Sequence, residues 1–168
     1  ITSWAYSILG QIYVVLPLAL LGVWGYKSDY QLFMNTEYLL MALFVFVWTN
    51  DTGAYIVGCT LGKHRLFERI SPKKSWEGFF GGLAFCIILA SLANYIIPGM
   101  LSTAQWIGMG ILTSIFSTWG DLCESLLKRT AGVKDSGKIL PGHGGILDRF
   151  DSELIASPVI FIYLTFVL

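Results

Sequence analysis

"FFGGLAFCIILASLANYII", residues 79–97, is an apolar stretch without a single charged side chain. A helix rises about 1.5 Å per residue, so about 20 mostly apolar residues are enough to cross the hydrocarbon layer of a bilayer. Pro98 and Gly99 follow directly and are typical of a helix end. The stretch therefore predicts a transmembrane helix, and we prefer this interpretation to a core helix of a soluble α-protein.

The composition of the whole chain supports a membrane protein. Hydrophobic residues make up 55% and charged residues 13%, about half of the roughly 25% usual in soluble domains, and mean hydropathy is +0.65. The formal net charge is zero, so attraction to nucleic acid is not indicated. Cys59, Cys86 and Cys123 are odd in number and lack C-x-x-C spacing, which favours buried thiols over a disulfide framework or a zinc site.

Four more apolar segments surround the first one. We predict spans over Ile8–Trp24, Tyr38–Gly58 and Trp106–Leu122, and another that begins at Leu154. The fold class expected is all-α: a polytopic membrane helix bundle with about five transmembrane helices in a single domain, residues 1–168. Because the chain opens without Met and stops inside an apolar run, we expect it to be the C-terminal part of a longer polytopic protein.

Basic residues are confined to particular loops. The loop between the third and fourth spans has no charge, and Lys27 is alone between the first and second. Alternation of sides puts the two basic loops on one face, which the positive-inside rule makes cytoplasmic. We therefore expect a polar site at the cytoplasmic face. The two loops carry Lys63, Arg65, Arg69, Lys73 and Lys74, and Lys128, Arg129, Lys134, Lys138 and Arg149.

Asp51 is an acidic residue inside the second predicted span. It precedes Gly58 by seven residues, about 10 Å along a helix. An ionisable group at that depth is a functional candidate. The alternative is a polar cap on a helix that breaks at Thr52-Gly53.

Three other aspartates are candidate metal ligands. Asp121 lies near the end of the fourth span, and Asp148 and Asp151 are three residues apart, so a helix would put them on one face. Two carboxylates that close repel each other unless a cation or proton compensates. Together the three form the hard oxygen set that Mg²⁺ uses beside substrate phosphates. His143 alone among carboxylates argues against zinc.

The remaining charges have simpler alternatives. Glu124 and Lys128 have the spacing of an ordinary helical ion pair, and Lys73 and Lys74 have the position of lysines that snorkel to the membrane surface. The glycines of residues 141–145 permit close approach of an anion to the backbone. Residues 132–139 have P-loop spacing, but Ile139 replaces the Ser/Thr and no strand is predicted before it, so we reject a P-loop.

Residues 125–152, "SLLKRTAGVKDSGKILPGHGGILDRFDS", resemble the signature of the phosphatidate cytidylyltransferases, also called CDP-diacylglycerol synthases. Their pattern of Ser, Lys-Arg, Lys-Asp, Pro-x-His-Gly-Gly and Asp-Arg-x-Asp is present in full. "DTGAYIVG" (51–58), "SPKKSWEG" (71–78) and "GDLCES" (120–125) are similar to the same family in the same order, and its bacterial branch is the closer match. A departure is Thr49-Asn50, where many members carry small residues, so no role is assigned to Asn50.

The resemblance implies transfer of a cytidylyl group from CTP to phosphatidate, giving CDP-diacylglycerol and diphosphate, at the inner membrane of a bacterium. It implies Mg²⁺, with room for a second cation, held by Asp121, Asp148 and Asp151. The partners expected are CTP, phosphatidate, the bilayer and a second copy in a homodimer, with no nucleic acid. The remaining catalytic residues implied are Lys128, Arg129 and Lys134, and the substrate-binding residues are Asp51, Ser71, Lys73, Lys74, Asp135, His143, Gly144, Gly145 and Arg149.

Three alternatives remain open. One is a CTP-dependent lipid kinase, and another is a cytidylyltransferase for a different lipid phosphate. The third is a cation transporter or channel that uses Asp51, Asp121 and Asp148. It explains less well why Lys, Arg and Gly crowd the same loop, because the basic residues would repel a passing cation.

Overall fold

The computed structural model describes residues 2–25, 36–133, 135–137 and 145–168, and most of them are helical. The order along the chain is α1 (Thr2–Gly10), a π-helical segment (Gln11–Val15), α2 (Leu16–Gly25), α3 (Thr36–Leu61), β1 (Arg65–Phe67), β2 (Ser71–Ser75), α4 (Trp76–Ile96), α5 (Thr103–Thr130) and α6 (Leu147–Val167).

The first helical stretch is interrupted immediately before a proline. Pro17 lies at the second position of α2 and is buried. Proline has no N–H to donate, and its ring crowds the carbonyl of the residue four positions earlier, here Tyr13. The wider π-helical turn over Gln11–Val15 occupies the place where a regular helix would have that conflict.

Helices α3 and α4 pack closely because glycines of the first two turns of α4 face α3. A Cβ added to Gly81 would lie 2.5 Å from Val57, and one added to Gly82 would lie 2.5 Å from the Asn50 side-chain oxygen. Close approach through small residues is the usual way that helices associate inside a membrane. Larger side chains at these positions would separate the two helices.

The core lies where α3, α4, α5 and α6 meet. Phe46 and Trp106 pack with their ring centroids 6.4 Å apart, and Met109 and Ile160 are fully buried beside them. Many other large apolar side chains are exposed, as expected of a surface that faces lipid rather than water.

A short antiparallel hairpin joins α3 to α4 and modifies the predicted all-α class. β1 pairs with β2 in the register Arg65 to Ser75 and Phe67 to Ser71. Sequence patterns do not predict these strands, because they are short and contain charged residues and Pro72. Ser75 then caps α4, since its hydroxyl accepts a hydrogen bond from Gly78 N at 3.1 Å.

The structure confirms the apolar helices and extends them. Within the described residues, three helices are long and apolar enough to cross a membrane: Glu37–Leu61, Trp76–Ile96 and Leu147–Val167. The predicted fourth span lies in α5, which is long but is not among these three, and the predicted first span falls on the shorter apolar helix Ser7–Val23. The total of about five spans stays a prediction.

Candidate active site

A cavity of about 280 Å³, lined by apolar residues together with a few charged ones, opens between α3, α4, α5 and the hairpin. Its wall includes four residues that the sequence pointed to from three separate segments: Asp51, Lys73, Lys74 and Asp121. Helix α3 runs without a break through Asp51, so the alternative of a helix that ends at Thr52-Gly53 is wrong. Asp51 is exposed and is therefore accessible to a ligand in the cavity.

The hairpin is tied to α5 by an ion pair. Lys74 Nζ lies 2.6 Å from Asp121 Oδ2 and donates to the carbonyl oxygen of Thr118 at 3.5 Å. Because the two side chains keep 25% and 36% of their exposure, the pair contributes little to stability, up to about 1 kcal/mol. Its effect is to hold one ammonium and one carboxylate at the edge of the cavity.

Helices α5 and α6 cross beside this pair. A Cβ on Gly120 would lie 2.5 Å from the backbone oxygen of Asp151, so the two backbones touch at this point. The Asp151 carboxylate is within electrostatic range of Asp121 and Lys74, and Asp51 is within range of the same two groups. Carboxylates of three helices, α3, α5 and α6, therefore lie within electrostatic range of Lys74.

Asp148 lies in a separate group of donors. Lys128 Nζ approaches its Oδ1 at 2.8 Å, and Gly145 N donates to its Oδ2 at 2.7 Å. Ser136 donates to Oδ2 through both its backbone N–H and its hydroxyl, each at 3.0 Å. The carboxylate thus fastens the loop between α5 and α6 to the end of α5.

Lys128 forms ion pairs with two acidic residues. Its Nζ also lies 2.6 Å from Glu124 Oε2, one helical turn away and 1% exposed. Burial raises the pKa of Glu124 to about 7, although the hydrogen bond from Lys128 opposes this shift. Burial alone would lower the pKa of Lys128, but its hydrogen bonds to Asp148 and Glu124 raise it. The ion pair predicted between Glu124 and Lys128 is confirmed, and it extends to Asp148.

Asn50 links α3 to α5 and was given no role by the sequence. It is 2% exposed and donates to Ser117 Oγ at 3.1 Å and to Thr118 Oγ1 at 3.5 Å. Its side-chain oxygen accepts from Ser114 Oγ at 2.6 Å. Since Asp51 follows Asn50 and Asp121 follows Thr118 by three residues, this network fixes the register of the two carboxylate-bearing helices. An uncharged side chain in an apolar run gave little sign of this in the sequence.

The predicted magnesium site can be compared with the described residues only through the chemistry of its donors. Among the described residues, no three His, Cys, Asp or Glu side chains are grouped so as to hold a metal ion. Asp121 and Asp151 are hard oxygen donors within electrostatic range of each other, which suits a divalent cation that takes its other ligands from phosphates. Asp148 fits less well because its oxygens already accept from Lys128, Ser136 and Gly145. The three-aspartate site stays a prediction.

The other predicted residues are distributed around this region. Ser71 is half-buried in β2, while Arg129 at the end of α5, Asp135 in the loop and Arg149 in α6 are exposed. Gly145 is buried and contacts Asp148 through its N–H. Lys134, His143 and Gly144 lie outside the described residues, so their predicted roles are untested.

Two buried polar groups near the acids were not predicted. The Tyr13 hydroxyl is buried with no hydrogen-bond partner among the described residues, within electrostatic range of Asp121 and Asp151. Glu153 is 3% exposed, and its Oε2 likewise accepts no hydrogen bond within the described part of the chain. Tyr13 stands in a mostly apolar helical segment without a motif, and Glu153 directly follows the signature, so only packing shows that both side chains are buried near the acids.

Comparison with known proteins agrees with this arrangement. The profile of the cytidylyltransferase family matches residues 1–167. The chain belongs to this family. It is 41% identical over 160 residues to a phosphatidate cytidylyltransferase of Staphylococcus aureus (strain COL), covering 95% of this chain and 61% of that protein. Proteins of the same name from Staphylococcus haemolyticus and Staphylococcus epidermidis are 41% and 40% identical over 159 residues.

Membership confirms the resemblance seen in the signature sequence. The chain spans 61% of the length of these curated relatives. The part that it spans contains every motif from which the family was first inferred, from residue 51 to residue 152. The activity of the whole protein is considered below as a proposal.

Proposed function

We propose that the protein transfers a cytidylyl group from CTP to phosphatidate, forming CDP-diacylglycerol and diphosphate. The observation that carries this proposal is the cavity in which Lys73, Lys74, Asp51 and Asp121 converge between membrane-length helices. A cavity with both signs of charge suits a polyphosphate bound with a cation, and its position between such helices suits a lipid substrate. The named activity of the relatives, from three Staphylococcus species, supports the same reaction.

The reaction requires positioning more than proton transfer. An ionised oxygen of the phosphatidate phosphate attacks the α-phosphorus of CTP, and the bond from that phosphorus to the diphosphate oxygen breaks. The diphosphate leaves with the electron pair, so no proton has to be removed from the nucleophile. Alignment of the two phosphates and compensation of their charge account for most of the rate.

The described residues divide this work. Lys73 and Lys74 supply positive charge at the cavity, and Asp121 holds Lys74 in place at 2.6 Å. Lys128 is held by Glu124 and Asp148 beside the loop that contains the signature. Mg²⁺ bound by Asp121 and Asp151 would supply charge compensation for the phosphates. Asp148 holds Ser136 and Gly145 beside Lys128 at the end of α5.

We further propose that the protein lies in a bacterial inner membrane with about five spans in this part, that the cavity faces the cytoplasm, and that two copies associate. The basic loops on one side of the predicted spans support the orientation. Cys59 is exposed close to the hairpin, so its reaction with a membrane-impermeant thiol reagent tests the orientation. Labelling of Cys59 only after the cytoplasmic face is opened supports the orientation, and labelling in intact cells contradicts it.

Transfer of label from CTP tests the reaction. The full-length protein in lipid is mixed with phosphatidate and CTP labelled at the α-phosphorus. Label that appears in the lipid, with release of diphosphate, supports cytidylyl transfer. Label that remains in CDP indicates a lipid kinase, and the absence of turnover together with cation flux indicates a transporter. A second lipid phosphate offered in place of phosphatidate tests the remaining alternative.

A further inference from the structure

The hairpin between α3 and α4 has two chemically different faces. Residues of β1 alternate sides, so that Leu66 lines the cavity, whereas in β2 the consecutive residues Lys73 to Ser75 all line it. Arg65 and Phe67 lie on the opposite side of β1 and are exposed. Lys63 before the strand and Arg69 in the turn are exposed as well. We call Lys63, Arg65, Phe67 and Arg69 the outer ridge.

The cations of the outer ridge are not neutralised by the protein itself. Within the part of the chain that the structure describes, the ion pairs of the hairpin are those of His64 with Glu77 and Lys74 with Asp121. Lys63, Arg65 and Arg69 form none there. A surface that kept these charges only for solubility would not need a large aromatic side chain among them, yet Phe67 is 51% exposed at the centre of the ridge.

The position of the hairpin decides what can reach the ridge. It directly connects α3 and α4, two helices that are long and apolar enough to cross a membrane. A connection of three residues on one side and none on the other keeps the strands at the membrane boundary, where phospholipid headgroups lie. Aromatic side chains are favoured at that level, and clustered Lys and Arg attract anionic lipids there.

We propose that the outer ridge is a binding surface for the headgroups of anionic phospholipids. The arginines and Lys63 contact the lipid phosphates while Phe67 enters the boundary of the acyl chains. Because Leu66, Lys73 and Lys74 on the reverse face line the cavity, a lipid phosphate on the ridge is one strand away from the proposed catalytic cavity. The inference also concerns the substrate, and this part rests on the proposed function. Phosphatidate is itself an anionic phospholipid, so the ridge concentrates it at the cavity entrance.

Photocrosslinking tests the binding surface without using CTP. The full-length protein is placed in bilayer discs of phosphatidylcholine that contain a trace of photoactivatable phosphatidylglycerol, or of photoactivatable phosphatidylcholine in a parallel sample. At about 0.01 M salt we expect preferential labelling of residues 63–75 by phosphatidylglycerol, and at about 1 M salt, where the screening length is only about 3 Å, we expect the preference to disappear.

Variants distinguish lipid binding at the outer ridge from a general attraction of anionic lipids to the protein. Each arginine near an anionic surface changes association about fivefold at low salt, so Arg65→Gln with Arg69→Gln should remove most of the preference. The matched control is Glu68→Gln on the same hairpin, which removes a negative charge and should keep or increase the preference. Equal labelling by the two lipids in the wild type, or an unchanged preference in the double variant, would overturn the proposal and leave the basic residues as topology signals only.

The substrate part has its own readout. In the double variant the KM for phosphatidate should rise about as much as the lipid preference falls, while the KM for CTP stays unchanged. An unchanged phosphatidate KM despite a lost preference would overturn the substrate role. If the wild type shows no label transfer from CTP, the proposed function fails, but the crosslinking result stands by itself.

Discussion

Replacement of Asn50 by Leu should loosen the contact between α3 and α5 measurably. Leu has a similar size and branching, so the change removes hydrogen bonds without leaving a large cavity. Three interhelical bonds are lost, to Ser114, Ser117 and Thr118. At the average of about 0.6 kcal/mol measured for such bonds in membrane proteins, their sum is about 2 kcal/mol.

The loss should be visible in thermal unfolding of the protein in detergent. A change of about 2 kcal/mol corresponds to a decrease in Tm of about 4–8 °C for a chain of this size. The control is Thr52→Val, because the Thr52 hydroxyl is exposed and donates only within its own helix, to Trp48 O at 2.7 Å. We expect Thr52→Val to change Tm by less than about 2 °C.

A double-mutant cycle distinguishes the network from a general effect of the substitution. Ser114→Ala should be destabilising alone but should add little to Asn50→Leu, because the bond of 2.6 Å between them is already lost. A Tm of Asn50→Leu equal to that of the wild type, or fully additive effects of the two changes, would refute the reasoning that Asn50 holds the two helices in register.

Three other substitutions test the site itself. Lys74→Gln should lower kcat at least tenfold in the label-transfer assay because Asp121 loses its partner at 2.6 Å. A decrease in kcat below about threefold, under ~0.7 kcal/mol, would indicate that Lys74 only extends to the membrane surface. Asp148→Asn should abolish turnover. It should also speed hydrogen exchange at residues 135–137, because the carboxylate accepts hydrogen bonds from Ser136 and Gly145. Unchanged exchange would contradict the role of Asp148 in holding these residues. Gly120→Ala should lower both Tm and activity because its Cβ would lie 2.5 Å from a backbone oxygen of α6. The control is Gly22→Ala, which has open space around it and should be neutral or slightly stabilising. Equal Tm values for the two variants would show that α5 and α6 separate without cost.

The sequence predicted the helices more reliably than their ends. The apolar run over residues 79–97 appears as α4, Trp76–Ile96, since an uncharged stretch of that length has few other stable conformations in a bilayer. Helix α6 begins at Leu147, seven residues before the predicted start at Leu154. Charged residues at its beginning concealed this turn, because hydropathy does not distinguish a polar helical turn from a loop.

The signature residues were found from the sequence, but apart from the ion pair of Glu124 with Lys128 their partners were not. Fixed spacing of chemically distinctive residues identified Asp121, Lys128, Asp148 and the family. The pairing of Lys74 with Asp121 joins residues 47 positions apart, and spacing along the chain carries no information about such a contact. The hydrogen bonds of Asp148 to Ser136 and Gly145 were not predicted for the same reason.

By itself, the sequence determined the apolar helices typical of a membrane protein and one charged signature, because composition and motif spacing can be read without knowledge of packing. Only the tertiary structure decided which charges meet. Contacts such as Asn50 with Ser114 and Gly120 with Asp151 depend on where whole helices cross, and a crossing point is set by the combined fit of many small side chains rather than by any one segment.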